Sequence, residues 1–297
     1  MRVKVMVPAT IANFGPGFDA FGLCLEKPID IIELRESDEI RVEVKGFDVP
    51  DDPERNVASI SVLALLKMLK VDTGFRIRIR KEIKPKGGLG SSGASALGGA
   101  LAAARFFGIE DKELIVKAAL EGEKVASGSA HGDNIIPALF GGFTILNSLN
   151  PLEVFNLDVK FKLVVVLPDV EVSTKKARAV LPEHVPRSDA VRNIALASSL
   201  VLALKENDIE NVGRFLDDHL ALPYRKSLIP WFDKVVNAAL ESGAYGVSLS
   251  GSGPAMFALG KNLKDIGKAM VEAFREEGIN AEYFISKVGG GARCLGV

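Results

Sequence analysis

The order of elements along this chain predicts an α+β protein built in two units. Three observations carry that reading. A strand of alternating basic and apolar residues, Phe75-Arg76-Ile77-Arg78-Ile79-Arg80, runs through a glycine-rich loop into an Ala/Gly-dense stretch of helical length. Short strands and helices are interspersed through the first half. The chain then finishes as strand, turn, strand, helix, strand, an order that suits helices stacked on one face of a sheet.

The first strand is predicted near 2–7, where Arg2-Val3-Lys4-Val5-Met6-Val7 alternates polar with apolar. Strands follow near 30–34, 40–45 and 75–80, and helices near 57–70, 93–107, 111–127 and 132–139. Asn56 stands where an N-cap belongs. A strand near 143–147 closes the first half. Gly141-Gly142 and the turn at 147–151 put a boundary near 150, giving units 1–150 and 151–297. The second unit opens with a continuous apolar strand at 161–167. Helices follow near 174–181, 188–206, 208–217 and 231–242. Strands at 245–249 and 255–259, a helix at 263–277 and a strand at 281–287 complete it.

With 297 residues and 47% hydrophobic content, the chain can bury a large core. Its 37 basic and 38 acidic residues give a net charge of −1, which leaves no electrostatic footprint for nucleic acid or an anionic membrane. A small-molecule substrate is the expectation. No apolar run approaches the ~20 residues of a membrane span, and the N-terminal strand pattern has no signal-peptide core. Cys24 and Cys294 lie far apart and His131, His184 and His219 are scattered, which argues against a disulfide framework or structural zinc and for a cytoplasmic protein.

The run Pro85-Lys86-Gly87-Gly88-Leu89-Gly90-Ser91-Ser92-Gly93-Ala94-Ser95 carries the chemistry. Strand, glycine loop and helix start bring free backbone N–H groups to one point, and such a point binds an anion, most often phosphate. Ser91 and Ser92 can cap the helix, donate to a phosphate oxygen or ligate a metal ion. The run is neither a Walker A loop nor Gly-x-Gly-x-x-Gly.

Other stretches add polar groups. Pro8-Ala9-Thr10-Ile11-Ala12-Asn13-Phe14-Gly15-Pro16-Gly17-Phe18-Asp19 reads as a Gly/Pro turn whose Asn13 and Asp19 need partners if buried; Asp19 can accept from a ligand ammonium. Ser248-Leu249-Ser250-Gly251-Ser252-Gly253-Pro254 is a turn between two strands. Glu123 ends an apolar stripe with Val116, Ala119 and Leu120, but Glu121 does much the same with Leu114 and Ala118, so periodicity does not choose. In His131-Gly132-Asp133-Asn134, either of the last two can cap a helix. Arg178 and Arg225 offer forked donors for a carboxylate.

The glycine run resembles the second motif of the GHMP kinases, Pro-x-x-x-Gly-Leu-Gly-Ser-Ser-x-Ala-Ser, matched by Pro85, Gly88 to Ser92, Ala94 and Ser95. The turn at 248–257 resembles the third motif. The first stretch resembles Pro-Ala-Thr-x-Ala-Asn-x-Gly-Pro-Gly-Phe-Asp of the homoserine-phosphorylating branch of that family. Ile11, Phe14 and Gly93 depart from its commoner residues, and none removes a needed polar group. The resemblance implies a two-domain α+β fold: an N-terminal ATP-binding domain (ribosomal protein S5 domain 2-like) and a C-terminal ferredoxin-like domain, with the site between them. It implies ATP on Pro85 to Ser95, with Asn56 at the adenine, and Mg²⁺ on Ser92 and Glu123. It implies L-homoserine as acceptor, its ammonium on Asp19 and its carboxylate on Arg178 and Arg225. Asn134, Arg178 and Glu123 are the implied catalytic residues, with Asn13 and His131 beside the hydroxyl. No catalytic base is assigned, Asp133 being a guess, and a homodimer is allowed.

Overall fold

The computed structural model describes residues 1–128 and 131–296. Its first unit runs β1 (Arg2–Ala12), β2 (Phe21–Ser37), β3 (Arg41–Gly46), α1 (Val57–Leu69), β4 (Gly74–Lys81), α2 (Ser91–Phe106), α3 (Lys112–Ser127), α4 (Ile135–Phe140), β5 (Phe143–Leu149) and β6 (Leu152–Leu157). The second runs β7 (Lys162–Pro168), α5 (Thr174–Ala179), α6 (Arg187–Glu206), α7 (Ile209–Arg214), α8 (Leu222–Arg225), α9 (Phe232–Glu241), β8 (Ala244–Leu249), β9 (Met256–Gly260), α10 (Leu263–Glu276) and β10 (Ala281–Lys287). The last strand, β11 (Arg293–Gly296), returns to pair with β1.

The first sheet has the order β11-β1-β2-β4-β3, with β5 on β2 and β6 beyond it. Period-2 alternation decides its faces. Val3, Val5, Val7, Ile77 and Ile79 point into the core, while Arg76 and Arg78 reach Glu43 on the solvent side. On the inner face lies α2, buried on nearly every side. Only its small Ala and Gly residues let it lie that close; a Cβ at Gly98 would meet Ile32 at 2.3 Å.

The second sheet has the order β10-β7-β9-β8, the 4-1-3-2 order of a ferredoxin-like layer. One face packs α9 and α10 through Val235, Ala239, Ile266, Met270 and Phe274. The other joins the core of the first unit, where Phe257 of β9 stacks on Phe14 at 5.0 Å between centroids. That contact fixes the turn after β1 against the second sheet.

The strands differ from their sequence expectation in three places. β1 continues through Ala12 and β2 begins at Phe21, so the Gly/Pro turn spans only 13–20. The turn at 147–151 closes the β5–β6 hairpin, so the first sheet takes a strand from beyond residue 150. The four residues of β11 are too few for a periodic signal.

Candidate functional site

The phosphate-loop candidate joins β4 to α2, and the second unit grips it. Ser250 Oγ donates to the Gly88 carbonyl (2.6 Å) and Ala255 N to the Gly87 carbonyl (3.2 Å). Gly88 has φ +84°, and a Cβ there would meet the Ser250 and Gly253 carbonyls at 2.8 Å. Gly90, at φ +68°, would clash with Thr10 Oγ1 and Asn134 Oδ1. Both positions therefore require glycine. Ser91 does not cap α2, because its hydroxyl donates to the Ile83 carbonyl (2.9 Å). Gly90 holds the N-cap and has no side chain to offer. Among the described residues no backbone carbonyl accepts from the amides of Ser91, Ser92 or Gly93, so the helix start is open to an anion.

Ser92 Oγ donates to Glu123 Oε1 of α3 at 3.1 Å, which separates the two glutamates. Glu123 is buried beside the loop, whereas Glu121 is half-exposed and pairs with Lys124. Burial, with Asp133 nearby, pushes the Glu123 carboxyl up to about 7. Asp133 is pushed up to about 6, first by burial and then by the Asp19 charge.

Asn134 stands at the start of α4 without capping it. Its Oδ1 accepts from Thr10 Oγ1 (2.8 Å), and its Nδ2 lies 3.4 Å from Asp133 Oδ1. Thr10 thus fixes which end of the amide faces the cleft.

Sequence reasoning missed Lys81. Its ammonium is buried, paired with Asp30, and donates to the Ser91 carbonyl (2.7 Å) and Ser95 Oγ (2.9 Å). Asp30 Oδ1 also accepts from the amides of Glu82 and Ile83. Burial lowers the Lys81 pKa, and the Asp30 charge opposes that shift. The signal was present: in the alternation that points Phe75, Ile77 and Ile79 inward, Lys81 is the next inward position.

The acceptor-side residues come together on the turn at 13–20, α5 and α8. Asp19 takes a two-pronged ion pair from Arg178, at 3.0 and 2.7 Å. The Phe18 ring lies 5.4 Å from the Arg178 guanidinium and 5.3 Å from that of Arg225. Arg225 is buried and donates to the carbonyls of Gly251 (3.0 Å) and Ala177 (3.3 Å). His131 Nδ1 is 3.5 Å from Arg178; burial, then the Arg178 charge, holds the imidazole below its ordinary value.

Two candidates have structural duties. Asn13 closes the turn by accepting from Asp19 N (3.0 Å) and donates to the Gly251 carbonyl (3.2 Å). Asn56 caps α1, accepting from Ser59 N (3.1 Å) and donating to the Pro50 carbonyl (2.6 Å). Both still line the cleft.

That cleft has a volume of about 530 Å³, within the range of small-ligand sites. Pro85, Lys86, Gly88, Gly90, Ser91, Ser92 and Ser95 line it together with Glu123, Asp133 and Asn134. Asp19, His131, Arg178 and Arg225 line it as well. Of the remaining loop residues, Leu89 and Ala94 are core, Gly87 binds the third motif and Gly93 packs under Asn134. Among the described residues no three His, Cys, Asp or Glu side chains cluster to hold a metal by themselves, and no helix is long and apolar enough to cross a membrane.

Comparison with known proteins gives matching results. Family models for the GHMP kinases N terminal domain and the GHMP kinases C terminal match residues 56–142 and 200–280. The homoserine kinase of Pyrococcus abyssi is 62% identical over 293 residues, covering 99% of each chain. That of Pyrococcus furiosus is 62% identical over 291 residues, covering 98% of this chain and 99% of the relative. The crystal structure of homoserine kinase from Cytophaga hutchinsonii superposes with a TM-score of 0.89 at 37% identity, covering 99% of this chain and 97% of that one.

Proposed function

The chain belongs to the GHMP kinase family, and on that premise we propose that it transfers the γ-phosphoryl group of ATP to the side-chain hydroxyl of L-homoserine. The product is O-phospho-L-homoserine, in threonine biosynthesis. One observation carries the reading. A single cleft sets an open helix N-terminus with its Ser92–Glu123 pair together with a carboxylate and a guanidinium, Asp19 and Arg178. The first pair suits a nucleotide phosphate and the second suits an amino-acid zwitterion.

Phosphoryl transfer needs positioning and charge stabilisation more than covalent chemistry. The amides from Gly88 to Gly93 hold the phosphates, and Asn56 stands near the adenine. Ser92 and Glu123 would hold Mg²⁺, since a hydroxyl and a carboxylate are hard oxygen donors. When bound, it would supply charge neutralisation at the phosphates. The fit rests on Glu123 itself, a buried carboxylate that a cation would keep ionised. Asn134, oriented by Thr10, holds the attacking hydroxyl, with His131 beside it. A loose transition state asks little of a base, and no base role is given to Asp133. The compartment we infer is the cytoplasm, from two widely separated free cysteines.

Asp19 and Arg178 pair with each other. A ligand that separates them must re-pair both charges, since a stranded charge in a partly buried cleft is costly. L-homoserine brings an ammonium and a carboxylate; mevalonate brings only a carboxylate and galactose neither. In an ADP-release assay with Mg-ATP against L-homoserine, mevalonate, galactose and shikimate, homoserine is expected to be by far the best acceptor. Equal turnover of mevalonate or the sugar would sink the substrate assignment and leave the kinase assignment standing.

Arg178→Leu is expected to lower kcat/KM for homoserine by roughly 30-fold or more, from the ~2–5 kcal/mol lost when one partner of a charged pair is truncated. It should also erase the preference for homoserine over an amino alcohol lacking the carboxylate, with ATP affinity little changed. Arg225→Leu should lose as much, and should disturb ATP as well, because Arg225 braces the Gly251 turn that contacts the phosphate loop. A uniform fall for both acceptors in Arg178→Leu would assign that arginine to the phosphates or the fold.

The raised Glu123 and Asp133 values have a sign that can be checked. An acid whose folded pKa exceeds its unfolded value binds its proton more tightly when folded. The stability this gives the ligand-free protein is present below about pH 4 and is lost as pH rises to about 7. Metal binding needs the carboxylate, so Mg-ATP should release a proton at pH 6–7, read by calorimetry in buffers of different ionisation enthalpy. Proton uptake would overturn the assignment.

A further inference from the structure

Phe18 is an aromatic side chain outside the apolar interior. It is half-buried and stands one residue before Asp19 in the turn at 13–20. Among the described residues it joins neither hydrophobic core and does not line the cleft. What its ring meets are charges: the centroid lies 5.4 Å from the Arg178 guanidinium carbon and 5.3 Å from that of Arg225. A ring set against two cations calls for a reason other than burial.

The two arginines stand on short helices, six residues in α5 and four in α8, which do little by themselves to aim a long side chain. Hydrogen bonds do part of it. Arg178 spends Nη1 and Nη2 on Asp19, while its buried Nε meets no acceptor among the described residues. Arg225 spends Nε on the Ala177 carbonyl and Nη1 on that of Gly251. The cations also repel each other: burial lowers the Arg225 pKa, and the Arg178 charge acts in the same direction against that of Asp218. An aromatic face attracts a guanidinium through its quadrupole, more strongly where water is partly excluded. A carboxylate at position 18 would pair with these arginines and compete with a ligand carboxylate for their donors. A ring attracts both guanidiniums and leaves those donors to the ligand.

On the zwitterion reading of this cleft, we propose that Phe18 is a positioning residue for acceptor recognition, its ring holding the Arg178 and Arg225 guanidiniums in the poses that read a substrate carboxylate. The turn suits that task because it is tied at both ends. Asp19 N donates to Asn13 Oδ1 (3.0 Å), and Asn13 Nδ2 donates to the Gly251 carbonyl (3.2 Å). That carbonyl also accepts from Arg225 Nη1 (3.0 Å). Ring, carboxylate and arginine therefore share one frame. A single turn supplies Asp19 for the ammonium and steadies the groups that meet the carboxylate.

Steady-state kinetics of the full chain test this, with L-homoserine and with aminopropanol, which is homoserine without its carboxylate. Phe18→Leu is expected to lower kcat/KM for homoserine about tenfold, mostly through KM, equivalent to about 1.4 kcal/mol of lost attraction. Aminopropanol turnover and KM for ATP should hardly change. Phe18→Tyr keeps the aromatic face and should stay within about twofold of wild type. Successively fluorinated phenylalanines at position 18 keep the shape and weaken the quadrupole. Across that series kcat/KM for homoserine should fall stepwise while that for aminopropanol stays level. Because these rings are nearly isosteric, the series decides the matter even if Phe18→Leu misfolds. An unchanged homoserine series, or an equal fall for both acceptors, would overturn the positioning role and leave the acceptor assignment standing. A wild type that turns over aminopropanol as well as homoserine would sink that assignment, and the positioning role with it.

Discussion

Glu123→Ala loses nearly all turnover, by a factor on the order of 10³ from the several kcal/mol that metal-assisted charge stabilisation contributes, while the protein stays folded. Glu121→Ala, two residues away, stays close to wild type, because Glu121 is partly solvated and its ion pair among the described residues is with exposed Lys124. ATP binding weakens modestly in Glu123→Ala, since the open amides at the start of α2 remain. Glu123→Gln sharpens the test. It keeps the shape and the contact to Ser92 Oγ (3.1 Å) and removes only the charge. A buried carboxylate pushed up to about 7 destabilises the ligand-free fold at higher pH. Glu123→Gln at pH 8 should therefore match or exceed the wild-type Tm while losing turnover. Activity lost with stability kept is the signature of a residue held for chemistry. If Glu121→Ala were as damaging as Glu123→Ala, the metal assignment would be wrong.

What the sequence shows of the site follows from where each signal is written. The phosphate loop is legible because its chemistry is local: strand, glycines, serines and helix are contiguous, and only glycine fits Gly88 and Gly90. The closing strand-strand-helix-strand order is legible for the same reason. Glu123 is not separable from Glu121 by periodicity, since their faces differ by two residues on a helix that buries a broad side. The choice is made by Ser92, 31 residues away. Thr10 is hidden differently, because its partner Asn134 lies 124 positions on. Asn13 is legible only as an amide that needs a partner if buried; the fold supplies one by clamping the turn, and the side chain still lines the cleft. β6 had an alternating pattern, but the Asn-Pro turn ahead of it reads equally as a linker or a hairpin.

Lys81 is the residue whose removal should cost the fold most, and its period-2 position pointed inward from the outset. Lys81→Met is expected to lower stability by about 3–5 kcal/mol, the usual cost of stranding one member of a buried ion pair. The stranded member is Asp30, fully buried and still accepting from the amides of Glu82 and Ile83. Asp30→Asn should be milder, because burial already lowers the Lys81 pKa and the asparagine keeps an acceptor for the two amides. The double variant Asp30→Asn/Lys81→Met keeps an acceptor for the two amides and removes both charges. It should recover much of the loss, with a coupling of about 1–3 kcal/mol by denaturant unfolding. Function should not recover with it. Lys81 also anchors the first turn of α2 through the Ser91 carbonyl and Ser95 hydroxyl, so KM for ATP should stay raised in the stable double variant. A loss below about 1 kcal/mol, or a double variant with wild-type KM for ATP, would mean that Lys81 neither holds the fold nor positions the phosphate loop.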